Sequence, residues 1–93
     1  MSETIDGLTV DYEEDGILLV KQLDKAVLTK GAWATLVFRY QQWDKKTEDY
    51  GPEKYVVKRY QKRDGQYRAQ SKFNISSADQ ARKIIEVLQG WLD

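Results

Sequence analysis

Residues 54–75 read KYVVKRYQKRDGQYRAQSKFNI. Two runs containing aromatic and β-branched residues flank Asp64-Gly65. A two-residue type I′ turn needs positive φ at both central positions, which Asp-Gly supplies, so the stretch predicts a β-hairpin with strands over 54–63 and 66–75. Alternation then sorts the side chains. Arg63 faces Gln66, Gln61 faces Arg68, Arg59 faces Gln70, and Val57 faces Lys72. That side holds four cations and no acid, with Tyr55 at its far end. The other side gathers Val56, Tyr60, Ala69 and Phe73 with Lys58, Lys62, Tyr67 and Ser71. It is the expected core face, with the lysine stems snorkelling at its edge.

Working outward, WATLVFRYQQW (33–43) is a third strand, rich in the residues that favour pleated structure. Leu36, Phe38 and Tyr40 share one side with Ala34 and Gln42; Trp33, Thr35, Val37, Arg39, Gln41 and Trp43 share the other. KKTEDYGP (45–52) carries charge, Gly and the only Pro, and reads as a loop. Asp15-Gly16, between LTVDY and ILLVKQL, gives a second hairpin signal. Residues 1–7 read as a loose end.

After Ile75 the period changes. Ala81, Ile84, Ile85, Leu88, Trp91 and Leu92 fall on one helical stripe, and Ser77 with Gln80 forms a capping pattern, so a helix is expected from about Ala78 to Leu92. Ile85 and Leu88 are expected to be buried against the sheet. Trp91 either closes the core or packs against a second copy. The fold class predicted is α+β: one domain over residues 1–93, with an antiparallel β-meander of four to five strands over 8–75, backed by a C-terminal amphipathic helix over 77–92.

Composition narrows the chemistry. The 93-residue chain is 41% hydrophobic, ordinary for a globular domain. Its longest apolar run has four residues, Ile17 to Val20, too few to span a bilayer as a helix, and the acidic N-terminus has no apolar signal core. With no His and no Cys, there is no imidazole or thiolate for catalysis or zinc. No glycine-rich phosphate loop occurs. The acidic cluster Asp11, Glu13, Glu14 and Asp15 reads as a solvated turn. The expectation is therefore not an enzyme, with no metal and no cofactor, in a cytoplasmic setting.

Net charge is zero, yet unevenly laid out. Residues 1–20 carry six acids and no base, residues 21–72 thirteen bases against six acids, and residues 73–93 two bases against three acids. A basic middle of this kind can meet an anion. The cationic side of the hairpin, set beside Trp33, Arg39 and Trp43, would interleave cations with flat rings, the combination that holds single-stranded nucleic acid. The bland reading of the same residues is a solvated sheet face. A protein-interaction or assembly module, using a hairpin edge or the Trp91 end of the helix, is the alternative.

The run YVVKRYQKRDGQYRAQSKFNISSADQARKIIEVL, within residues 31–92, resembles the single-stranded-DNA-binding family of the transcriptional coactivator positive cofactor four. Tyr55, Val57 and Arg59 are set against that family's Y-x-[IV]-R-x-[YW] strand, Arg59 standing one place beyond its arginine, and SKFNIS stands near its lysine-glycine segment, although Phe73 replaces the glycine. The resemblance implies a sheet backed by a helix and a homodimer joined through it, here by Ile85, Leu88 and Trp91. It also implies a single-stranded DNA or RNA partner. The implied phosphate contacts are Arg39, Lys58 or Arg59, Arg68 and Lys72, with Trp33 or Trp43 stacking. With Arg63 and Tyr55 from the hairpin face, these are the candidate binding residues.

Overall fold

Thirteen consecutive residues of the acidic-to-basic junction, ILLVKQLDKAVLT, form one long strand, beyond the expected end at Leu23. In the computed structural model, which describes residues 3–93, a 3₁₀ turn (Ile5–Gly7) precedes β1 (Tyr12–Glu14), β2 (Ile17–Thr29), β3 (Trp33–Asp44), β4 (Asp49–Tyr50), β5 (Lys54–Arg63), β6 (Gln66–Ile75) and α1 (Ala78–Leu92). The antiparallel sheet runs β1-β2-β3-β5-β6, and the two-residue β4 pairs with the end of β3 inside the expected loop. The chain is an α+β meander, as expected.

Both Asp-Gly turns form as read. Asp15 and Gly16 have φ of 52° and 79°, Asp64 and Gly65 52° and 78°. A side chain at either glycine would be strained in this left-handed region.

The core lies on one face of the sheet. Ala34, Leu36, Phe38 and Tyr40 of β3 join Val56 and Tyr60 of β5 and Tyr67 of β6. What covers them is the N-terminal segment: Leu8 is buried in this cluster, with Ile5 and Val10 packed against it. The expected loose end is thus an ordered turn over residues 5–7; Met1 and Ser2 lie outside the described residues. Lys25 secures the cover, its ammonium donating to the carbonyls of Ile5, Asp6 and Leu8 at 2.7, 3.2 and 2.8 Å. Ile5 O also accepts from Leu8 N at 3.1 Å, so the ammonium adds a charged donor to the carbonyls at the end of the 3₁₀ turn.

The helix departs from expectation. Its cap forms as read: Ser77 Oγ accepts from Gln80 N at 3.1 Å, and Gln80 Oε1 accepts from Ser76 N at 2.8 Å. Yet no residue of α1 is buried. Ile85 is 60%, Leu88 47% and Trp91 79% exposed, so the expected burial of Ile85 and Leu88 against the sheet does not occur within this chain. The N-terminal segment holds the place over the core that the helix was expected to fill. Only the first turns of α1 approach the opposite face. There Val37, Tyr55, Val57 and Ile75 line an open groove of about 470 Å³ with Ala81, Ile84 and Ile85.

Among the described residues, no helix is long and apolar enough to cross a membrane.

Candidate nucleic-acid interface

Register decides which cations share a face. Pairing outward from the Asp64-Gly65 turn proceeds as expected through Arg63↔Gln66 and Gln61↔Arg68. It then slips: Tyr60 pairs with Ala69 but Arg59 with Ser71, leaving Gln70 unpaired as a β-bulge. Beyond the bulge every side chain on β6 changes sides relative to simple alternation. Val57 therefore faces Phe73, and Lys58 faces Lys72. Three expectations are corrected together. Arg59 does not face Gln70; Phe73 and Ser71 leave the core face; Lys72 leaves the cationic face.

The remaining open face has a basic, aromatic end near the β5–β6 turn. Trp33 pairs with Gln61, and Thr35 with Arg59, which brings Trp33 and Arg59 diagonally together. The Arg59 guanidinium lies 4.7 Å from the centre of the Trp33 ring, a cation–π contact, and Trp33 remains 42% exposed. Arg63 Nε donates to Gln61 Oε1 at 3.0 Å, and Gln61 pairs with Arg68. Among the described residues, no carboxylate forms an ion pair with Arg59, Arg63 or Arg68. Three arginines, one amide and one indole thus share a surface with their positive charge unneutralised.

The other candidates are otherwise engaged. Arg39 sits between two acids, 3.9 Å from Asp24 and 3.4 Å from Glu53. Trp43 meets the Tyr50 ring edge-on, with centroids 5.2 Å apart, and Tyr50 in turn donates to the Leu18 carbonyl at 2.9 Å. That ring pair ties the β3–β4 turn to β2. Tyr55 lines the groove beneath α1. These three residues share the open face with Arg59 but stand toward its other end.

Lys72 lies on the covered face with Lys58. Partial burial, and then the neighbouring Lys72 charge, hold the Lys58 ammonium below its ordinary lysine pKa. Burial likewise pushes the Tyr60 phenol above its ordinary value. The pairing of Lys58 with Lys72 escapes sequence reading, because no residue type marks Gln70 as the bulge.

Among the described residues, no group of three or more acidic side chains could hold a metal ion. No family model, curated protein or solved structure matches the chain.

Proposed function

We propose that this chain binds single-stranded nucleic acid without strong sequence preference, through the end of the open sheet face formed by Trp33, Arg59, Gln61, Arg63 and Arg68. The observation that carries the reading is the exposed Trp33 ring with Arg59 laid over it and two further arginines alongside, none paired with an acid. Guanidinium groups track phosphates, and a base stacked on an aromatic ring contributes ~1–3 kcal/mol. The amide of Gln61 adds a hydrogen-bonding group for base edges. The resemblance to the positive cofactor four family points the same way.

A titration of the chain with oligo-dT at two salt concentrations, followed by tryptophan emission, tests it. Binding should quench or shift the Trp33 signal and weaken with salt. Arg59→Ala with Arg68→Ala should lower the slope of log affinity against log salt by about 1.4, at ~0.7 for each phosphate contact on a single strand. Lys45→Ala with Lys46→Ala, in the distant β3–β4 turn, should leave it unchanged. Absence of binding at low salt rejects the reading.

A second reading rests on the helix. Ile85, Leu88 and Trp91 are exposed along one stripe, and the groove beside the first turns of α1 is apolar. Monomeric proteins rarely leave such contiguous surface in water. A second copy is the occupant that brings a matching stripe and a matching groove, in an isologous dimer where each helix covers the other. This assembly role is compatible with nucleic-acid binding, because the basic end of the face is remote from the Tyr55–Ile75 end where α1 begins.

A further inference from the structure

The covered face of the sheet is not sealed along its whole width. Away from the 3₁₀ turn, an open pocket of about 270 Å³ is lined by Thr9 and Val10 of the N-terminal segment with Val20, Tyr40, Gln42, Val56, Lys58, Lys72 and Asn74 of the strands. At ~30 Å³ per water molecule, it has room for a small ion with part of its hydration shell.

Its polar wall includes two ammonium groups and two amides. The Gln70 bulge turns Lys72 onto this side and sets it directly across from Lys58, while Val56↔Asn74 pairing brings the Asn74 amide beside them. Gln42 Oε1 accepts from Lys54 Nζ at 2.8 Å, which leaves its NH₂ group to donate. No carboxylate lines the pocket, and among the described residues neither Lys58 nor Lys72 forms an ion pair. The Lys58 ammonium lies 5.5 Å from the centre of the Tyr60 ring. Two like charges directly opposite each other on a strand pair are mutually destabilising, and an anion between them relieves that repulsion. Elsewhere the chain answers a partly covered cation with acceptors, as Lys25 meets three carbonyls and Arg39 two carboxylates.

We propose that this pocket is an anion site for a tetrahedral oxyanion of the phosphate class, held between Lys58 and Lys72 with Asn74 and Gln42 donating from the sides. It is separate from the arginine surface, being on the opposite face of the sheet, and it stands whether or not that surface binds nucleic acid. The phosphate can be the free ion or a terminal phosphate monoester. The chemistry is shared: two ammonium groups and two amides around three or four oxygens.

The test is an NMR titration of the full chain with inorganic phosphate against chloride of equal ionic strength. It follows the Lys58, Lys72 and Asn74 amides and the Gln42 side-chain amide. Saturable shifts at these four positions are expected, with a melting temperature raised in phosphate relative to chloride. Lys72→Ala should weaken phosphate about tenfold, the loss of one charged hydrogen bond. In separate titrations, a 5′-phosphorylated dinucleotide that shifts these signals where its 5′-hydroxyl counterpart does not identifies a terminal monoester as a ligand. Inorganic phosphate acting alone identifies the free ion. The proposal is overturned if neither phosphate source gives saturable shifts at Lys58 and Lys72. It is also overturned if the shifts map only to Arg59, Arg63 and Arg68, or if Lys72→Ala binds phosphate as tightly as the parent chain.

Discussion

The two ends of the chain both carry apolar residues toward the sheet, and they fare in opposite ways. At the N-terminus, six residues with three apolar side chains, Ile5, Leu8 and Val10, close the core. At the C-terminus, a fifteen-residue amphipathic helix buries none of its side chains. The difference lies in anchoring rather than hydrophobicity. Lys25 holds three carbonyls of the N-terminal segment, and Asp11 Oδ1 accepts from Gln22 N at 2.7 Å, so the segment is fastened on both sides of Leu8. The helix is joined to the edge strand β6 through Ser76-Ser77, and its first turns meet the open face around Val37, Tyr55, Val57 and Ile75. An amphipathic stripe states that a helix wants a partner; it does not state that the partner belongs to the same chain.

Four changes break or sharpen this contrast. The largest effect is expected at Leu8. Leu8→Ala removes a side chain from the centre of the cover and should destabilise by ~2–5 kcal/mol, measured by chemical denaturation. A variant as stable as the parent would mean that the N-terminal segment is not what seals the core.

Lys25→Met comes next. It leaves three carbonyls without their charged donor and should cost about 1.5–3 kcal/mol. Hydrogen exchange at the Leu8 and Val10 amides should quicken by ~10-fold or more, while amides in the middle of β3 change less, since local opening needs only the tether to fail.

Leu88→Ala should behave unlike Leu8→Ala. In dilute solution the folded monomer should lose less than ~1 kcal/mol, as expected for a side chain with little burial. Sedimentation should instead show dimer dissociation raised by about tenfold or more, as for an interface anchor contributing over ~1 kcal/mol. A large loss of stability in the dilute monomer would place the helix against its own sheet.

The smallest effect concerns the lysine pair. The folded chain holds Lys58 below its ordinary pKa, so between that lowered value and the ordinary one the unfolded chain binds more protons, and stability rises with pH. Tyr60 acts in the other direction: its raised pKa means that above the ordinary tyrosine range the unfolded chain releases its proton first, and stability falls. Lys58→Met removes the first effect and keeps the second. In chloride buffer at neutral pH it should melt slightly higher than the parent, with the advantage shrinking as pH rises toward the ordinary lysine range. An advantage independent of pH would show that Lys58 acts through packing alone.

Much of the architecture was legible from local signals. The two Asp-Gly turns, the alternating faces of β3 and the helix with its Ser77 cap follow from backbone sterics and periodicity, which act over a few residues at a time. From these alone came the antiparallel meander, the core row Ala34, Leu36, Phe38 and Tyr40, and the cationic side of β5 that includes Arg59 and Arg63. Tertiary structure decided what lies across the chain from what. The Gln70 bulge sent Lys72 to Lys58 and Phe73 to the open face, because a single unpaired residue reverses the side of everything beyond it. Glu53 and Asp24 took Arg39 through contacts between residues 14 and 15 positions apart, and Tyr50 took Trp43 across the β3–β4 turn. The choice of cover followed the same logic. Burial of Leu8 goes with Lys25 reaching back 17 residues to its carbonyl, an interaction with no periodic signature, whereas the stripe on α1 has a clear signature and meets the sheet only along its first turns.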